Sequence, residues 1–263
     1  MGTETLTAST VTVMAPTITA PAPFHGTSAA DMQKLFGRAV LFVFPDVGWS
    51  VKQFAGMASA AKALGFDTIS PKIGEGTQAW YSLDAVKQQR AAVLAAGCGY
   101  APFWYSVGPK FGIVAAEARM MQQYGDANAG VIISDMETEW DGQVAAAEQF
   151  ASIFRPWVGT LGVTTWADPI YQNWVGVMAA LAPAVNVWIP QRYDNWLASQ
   201  ALPAEATIIQ PAVDLSQEFG PNNVTSQVLR IASRGGTAWI WDNAFARANP
   251  GLARNLTAIL HKG

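Results

Sequence analysis

Residues 130–142 read Gly-Val-Ile-Ile-Ser-Asp-Met-Glu-Thr-Glu-Trp-Asp-Gly and carry three carboxylates at alternate positions, Asp135, Glu137 and Glu139. The apolar run Val131-Ile132-Ile133 leads directly into them. Side chains two apart on an extended strand share a face, so the spacing predicts one row of acids ~6–7 Å apart at a rise of about 3.3 Å per residue. Like charges in a row repel one another, and folding alone gives no reason to gather them on a half-buried strand. Acid–base chemistry does give one: crowding drives pKa values apart, so that one carboxyl stays protonated while its neighbour ionises. The row is therefore read as a catalytic acid cluster at a strand end. A solvated loop edge, or a set of oxygen ligands for Mg2+ or Ca2+, would draw on the same residue types.

The elements needed to position such a row recur along the chain. From residue 38 onward, apolar runs of strand length alternate eight times with stretches of helical apolar spacing. Strands are expected at 40–45, 66–73, 100–107, 131–139, 159–166, 185–193, 207–213 and 237–241. Helices are expected at 51–64, 83–96, 113–124, 143–154, 174–181, 224–232 and 252–260, with a shorter one at 195–200. Gly65, Gly97 and Gly235 fall where helix C-terminal caps belong. Eight strand-then-helix units are the count of a closed (β/α)8 barrel, the TIM barrel, so the fold class is α/β and residues 38–263 form one barrel domain. Residues 1–37 differ. The segment from Thr5 to Pro23 is rich in Thr, Ala and Pro and has no charged side chain, and an extended N-terminal arm is expected there.

Bulk properties exclude several functions. A hydrophobic fraction of 51% with 13% charged residues supports a large core. A net charge of −3 and no run of Lys or Arg argue against nucleic acid as a partner. His25 and His261 are the two histidines, one near each end, which argues against a Ser-His-Asp triad or a His-rich zinc site. Cys98 is the single cysteine and is read as a buried structural thiol. No apolar span reaches 18 residues, so no membrane span is expected. The first 24 residues lack the basic start and apolar centre of a classical signal peptide. An extracellular or surface address, virion-associated included, would then need another export route. No Gly-rich phosphate cradle appears: Gly74-Glu75-Gly76 has an acid in its middle, and Gly235-Gly236 precedes a strand. No cofactor and no resident metal are expected.

Active sites of (β/α)8 barrels lie at the C-terminal strand ends. The first four ends supply Asp46 and Trp49, Lys72 and Glu75, Trp104, and Trp140 beside the acid row. The last four supply Trp166; Gln191, Tyr193 and Asp194; Gln210 and Asp214; and Trp241 and Asp242. Of 11 tryptophans, seven fall at or just past a strand end, Trp80 and Trp196 included, whereas Trp157, Trp174 and Trp188 read as core. Flat indole faces pack against the C–H faces of sugar rings while carboxylates and amides bond the hydroxyls. The expected ligand is therefore a polysaccharide or oligosaccharide.

Two families share parts of this pattern. Asp135-x-Glu137-x-Glu139 after an apolar strand resembles the second half of the D-x-x-D-x-D-x-E signature of glycoside hydrolase family 18, the chitinase-like barrels. Gln191-Arg192-Tyr193-Asp194 is similar to that family's M-x-Y-D, and Gly235-Gly236-Thr237-Ala238-Trp239-Ile240-Trp241 resembles its last strand. This resemblance implies Glu139 as general acid, Glu137 orienting a substrate N-acetyl group and Tyr193 bonding its carbonyl. Residues 66–76, with Lys72 and Glu75-Gly76, and Asp135-Met136-Glu137 resemble family 25, the lysozyme-like barrels that cut peptidoglycan. That second resemblance implies Glu137 as the acid, supported by Asp135 and Asp46.

Two functions follow as expectations. One is a glycosidase acting on an amino-sugar polymer of chitin or peptidoglycan type. The other is a barrel that binds glycan without turnover, or a structural subunit of a surface or virion-type assembly, a homo-oligomer included, joined through residues 1–37. Ile132, Glu137 and Gln191 differ from the family 18 pattern and suit the second. The acid row and aromatic rim suit the first.

Overall fold

A computed structural model describes residues 28–166, 174–191, 210, 212–214 and 220–263. Among the described residues, ten strands make one sheet: β1 (Ala39–Val43), β2 (Thr68–Glu75), β3 (Gln78–Ala79), β4 (Gly99–Tyr100), β5 (Phe103–Ser106), β6 (Val131–Met136), β7 (Thr160–Trp166), β8 (Val187–Gln191), β9 (Ala212–Asp214) and β10 (Ala238–Trp241). Parallel pairing runs β1-β10-β9-β8-β7-β6-β5-β2, and β1 also pairs with β2, which closes the ring. β4 and β5 are two pieces of the third barrel strand, and β3 is a short antiparallel ribbon on the end of β2. The protein is a single closed eight-stranded (β/α)8 barrel.

Helices α2 (Val51–Ala63), α3 (Leu83–Ala95), α5 (Val114–Ala127), α6 (Val144–Phe154), α7 (Trp174–Leu181), α8 (Gly220–Ala232) and α10 (Pro250–Lys262) form the outer layer. Ser50 and Ser82 cap α2 and α3 through their hydroxyls, and Gly65, Gly97 and Gly235 take positive φ just past the helices they end. The single-turn helices α4 (Gly108–Phe111) and α9 (Asn243–Ala248) follow the third and eighth strands.

Strand alternation divides the apolar residues into two cores. Leu41, Ile69, Ile132, Val163, Trp188 and Ile240 point outward to the helices. Val40, Phe42, Phe103, Ile133, Ile189 and Trp239 fill the barrel interior. Helix α1 (Ala29–Phe36), with a Ser28–Asp31 capping box, adds Met32 and Phe36 to that interior. The Phe36 ring meets Trp239 edge-on at 5.1 Å, and Gln33 donates to the Gly235 carbonyl at 2.8 Å. Residues 29–36 are therefore a helix stopping the base of the barrel, which corrects the expectation of an extended arm for that part of 1–37. Burial of two large apolar side chains on one helical face is the reason. Residues 1–27 lie outside the described residues, as does the expected helix at 195–200.

Cys98 is buried, and desolvation pushes its thiol up to about 11, as suits a structural thiol. Trp174 and Trp188 are buried in the helix-facing core as expected, and Trp157 packs on Phe154 and donates to Asp126. Among the described residues, no helix is long and apolar enough to cross a membrane.

Candidate active site

On β6, Val131 and Ile133 face the interior and Ile132 and Met136 face the helices, so the same parity carries Asp135 inward at the C-terminal end. On β5, Phe103 is interior and Trp104 exterior, which turns Tyr105 inward. Tyr105 stands in register with Asp135, placing a phenol beside the first acid.

Asp135 is 2% exposed. The Gln191 amide nitrogen donates to its Oδ1 at 2.9 Å and to Thr164 Oγ1 at 3.2 Å, so both amide hydrogens are used. Burial pushes the Asp135 carboxyl well above the usual carboxylate range, and the Glu137 charge pushes the same way. The Lys72 ammonium and the Gln191 hydrogen bond pull it back, and Glu139 adds to the rise. Asp135 is thus a buried carboxyl at the bottom of the acid row, its pKa raised chiefly by desolvation.

The backbone turns beyond Met136. Glu137 sits at φ −118°, ψ −145°, and Thr138–Trp140 forms a 3-10 turn. The straight row of three acids therefore ends at Glu137, and Glu139 arrives on the turn. The two glutamates still converge: Tyr105 Oη lies 3.2 Å from Glu139 Oε2 and 3.4 Å from Glu137 Oε2. Burial, then the charges of Glu137 and Glu139, raise the Tyr105 phenol far beyond its ordinary value, so it remains a hydroxyl. Lys110 of α4 stands 3.9 Å from Glu139 Oε1. Lys72 Nζ donates to Glu75 Oε2 at 2.9 Å and lies 4.7 Å from the Tyr105 ring centre and 5.0 Å from that of Trp80. Lys72 and Glu75 hence form a pair at the end of β2.

At the ends of β1 and β10, Trp241 packs on Phe44 with centroids 4.6 Å apart; Trp241 also meets Phe42 and Phe103, and Phe44 meets Phe103. Phe44 is 36% exposed, so the pair offers an open aromatic face. The backbone N–H of Phe44 donates to Asn243 Oδ1, tying the ends of β1 and β10 together. Asp242 follows a cis peptide after Trp241 and is half-buried.

Two expected ligand contacts, Trp104 and Trp140, are corrected, because both are fully buried in the helix-facing core. Trp104 is fully buried on the outer face, its ring against Tyr124 and its Nε1–H donating to the Gly76 carbonyl. Trp140 is also fully buried, edge-on to Phe150, with its Nε1–H on the Ser106 carbonyl. Trp49 leans on Phe54 of α2 and belongs to the same outer layer. Gln210 is buried in the interior, where its Oε1 accepts the Trp239 Nε1–H at 2.9 Å. Asp46 is exposed on the loop after β1, and its charge bears on Tyr81. Trp104 and Trp140 bury their indoles against helix-layer aromatics and satisfy their Nε1–H groups on backbone carbonyls. Tyr193 and Asp194 lie outside the described residues, as do the side chains of Trp166 and Asp214.

Sequence reasoning placed Tyr105 and Thr164 at strand ends without choosing them as site residues, and passed over Phe44, Lys110 and Glu117. The first three were accessible by counting strand parity from Phe103, Gly162 and Phe42. Glu117 on α5 is buried and accepts from Ser106 Oγ and from the N–H groups of Val107 and Gly108, at 2.8–3.0 Å. It anchors the segment that carries Tyr105 and α4. No local sequence signal separates it from a surface glutamate.

Asp135 predicts a pH-dependent stability. Its folded pKa is raised, so its favourable contribution is complete below the unfolded value of about 3.9 and is lost as pH rises through the folded value. Asp135→Asn keeps an acceptor for Gln191 and removes the titration. The melting temperature of the variant should exceed that of the unsubstituted protein by a margin that grows from pH 4 upward. A margin independent of pH in thermal melts would contradict the assignment.

The chain matches no known protein-family profile, and no curated protein matches it in sequence. Solved structures do match in shape. A β-mannanase from Thermomonospora fusca bound to mannotriose aligns at a TM-score of 0.55 and 10% identity, over 78% of each chain. An O-GlcNAc hydrolase variant from Thermobaculum terrenum aligns at 0.53 and 9%, over 85% of this chain and 59% of that one. A truncated 3-deoxy-D-arabino-heptulosonate 7-phosphate synthase from Thermotoga maritima aligns at 0.50 and 11%, over 87% and 88%. Neighbours of such different chemistry at such identities share one property with this chain, the (β/α)8 barrel fold.

Proposed function

We propose that the chain is a glycoside hydrolase that cleaves an amino-sugar polymer of chitin or peptidoglycan type by carboxyl general-acid catalysis at the mouth of the barrel. One observation carries this reading: Glu137 and Glu139 converge on the Tyr105 hydroxyl above the buried Asp135, and the Trp241–Phe44 aromatic face rests on Phe103, two residues before Tyr105. A sugar ring stacked on that face would present its glycosidic oxygen to the glutamates. One glutamic acid gives its proton to that oxygen, the bond from the anomeric carbon breaks, and the leaving sugar departs as an alcohol. The remaining carboxylate charge stabilises the oxocarbenium-like carbon until water adds and returns a proton to the site. The raised pKa of Asp135 favours its neutral form, which lowers the negative charge of the row. Gln191, Tyr193, Asp194, Asp214, Trp166 and Asp242 complete the sugar site in this reading, and Lys72 with Glu75 borders it.

The test is turnover by the purified chain. N-acetylated chitooligosaccharides and peptidoglycan glycan fragments are incubated with the protein, products are read by mass spectrometry and binding by calorimetry. New reducing ends support the hydrolase. Binding without products replaces it by a glycan-binding role, and neither binding nor products removes the carbohydrate reading.

A further inference from the structure

We propose that Glu117 is a positioning residue for the mouth of the barrel: from α5 it fixes the backbone of Ser106, Val107 and Gly108, and through them the turn that carries Glu139 and the helix that carries Lys110. Its catalytic meaning rests on the glycosidase reading, whereas the positioning itself does not.

Glu117 is 0% exposed, a costly state for a carboxyl unless its oxygens are hydrogen-bonded. Oε1 accepts the Val107 N–H at 3.0 Å, and Oε2 accepts the Gly108 N–H at 2.9 Å and the Ser106 hydroxyl at 2.8 Å. Burial raises its pKa, and the hydrogen bonds from Ser106, Val107, Gly108 and Gly76 pull it back. Val107 precedes α4 and gives it no side-chain cap, so Glu117 supplies the cap from a neighbouring helix. The approach is close enough to require glycine: a Cβ on Gly108 would lie 2.6 Å from Glu117 Oε2 and 2.9 Å from Val114 Cα. Lys110, Phe111 and Gly112 are exposed. Apolar packing therefore does little to hold the outer half of α4, and the bonds to Glu117 set where it stands.

The same backbone reaches the acids. Strand parity turns Ser106 outward to α5 as it turns its neighbour Tyr105 inward. The Ser106 carbonyl accepts the Trp140 Nε1–H at 2.8 Å, and Trp140 ends the 3-10 turn that holds Glu139. The Tyr105 carbonyl accepts the Gly76 N–H at 3.1 Å, and the Gly76 carbonyl accepts the Trp104 Nε1–H at 2.9 Å, which ties the end of β2 to the same strand. On the far side of Gly108, α4 brings Lys110 within 3.9 Å of Glu139 Oε1. Segments from β2, β5 and the 3-10 turn thus meet at 105–108, where Glu117 is the side chain that Ser106, Val107 and Gly108 all bond. Glu117 acts on Glu139 through Ser106 and Trp140.

The test uses the full chain with Glu117→Gln and Ser106→Ala, thermal melts confirming that each variant folds. Glutamine keeps the size of the side chain but turns an N–H2 group towards donors, so at least one of the bonds is lost. Hydrogen exchange is followed by nitrogen-15 NMR at the Val107 and Gly108 amides and at the Trp140 indole N–H, assigned by comparison with Trp140→Phe. The amides of Ile189 and Ile240, on β8 and β10, serve as references. Glu117→Gln should speed exchange at Val107, Gly108 and Trp140 about tenfold or more, with the references changed by less than roughly threefold. Should Glu117→Gln not fold, Ser106→Ala is expected to speed Trp140 exchange in the same local way. A residue that only stabilises the fold would speed all these sites in the same proportion, and unchanged exchange at Trp140 would show that the effect stops at α4; either result overturns the proposal. If a substrate is turned over, Glu117→Gln should also lower kcat about 10- to 100-fold with KM within roughly threefold. Combining it with Trp140→Phe should then cost less than the product of the single losses, and fully multiplicative losses would overturn the route through Ser106. No turnover by the unsubstituted protein, with the local exchange pattern as expected, removes the glycosidase reading and leaves the positioning in place.

Discussion

Glu139→Gln and Glu137→Gln should each lower turnover of an N-acetylated oligosaccharide by about 100- to 10,000-fold, with KM changed by less than roughly threefold. The amide keeps the size and polarity of the side chain but has no acidic proton, so the loss falls on the chemical step. Both positions matter because both carboxyls meet the Tyr105 hydroxyl. Because the two carboxyls share that contact, the losses should not multiply. Steady-state kinetics of the two single variants and the double variant measure this directly. Unchanged kcat in both single variants would place the chemistry elsewhere. A full loss in Glu139→Gln with none in Glu137→Gln would restrict the acid to Glu139.

The second large effect concerns stability. Trp104→Ala should destabilise the protein by about 3–5 kcal/mol, the usual cost of emptying a buried tryptophan site. The indole is fully buried, packs on Tyr124 and donates to the Gly76 carbonyl, so truncation leaves a cavity and an unmatched acceptor. Gly74 shows how closely the ring is held: a Cβ there would lie 2.5 Å from it. Trp241→Ala is the contrasting case. Its ring is partly exposed on Phe44, so its loss should cost less stability and should weaken oligosaccharide binding. Denaturant midpoints and binding isotherms on both variants separate the roles. A stable Trp104→Ala variant that no longer binds sugar would restore Trp104 to the ligand site.

The stopper at the base of the barrel bears on both effects. Met32 and Phe36 join Trp239 in the interior core, the Phe36 ring meets the indole edge-on, and Trp239 donates to Gln210 Oε1. The interior beneath the acids is therefore filled, and the loss of solvation there raises the Asp135 pKa.

Periodicity along the chain was enough to determine the barrel. Eight alternations of strand and helix patterns, with Gly65, Gly97 and Gly235 at helix ends, admit few closed folds, because each signal is local and repeats. It was also enough to place Asp135 at the inner end of β6, since an apolar strand followed by an acid reads the same in one dimension as in three. Which residue of each neighbouring pair faces the mouth was decided by tertiary packing. Trp104 and Tyr105 are adjacent and both aromatic, and the outer helix layer buries apolar surface as effectively as the interior, so composition cannot set the parity. The turn at Thr138 belongs to the same class of information. Only when β5 lies beside β6 does one hydroxyl come within reach of Glu137 and Glu139 together, because hydrogen bonding acts across space and leaves no trace in sequence spacing.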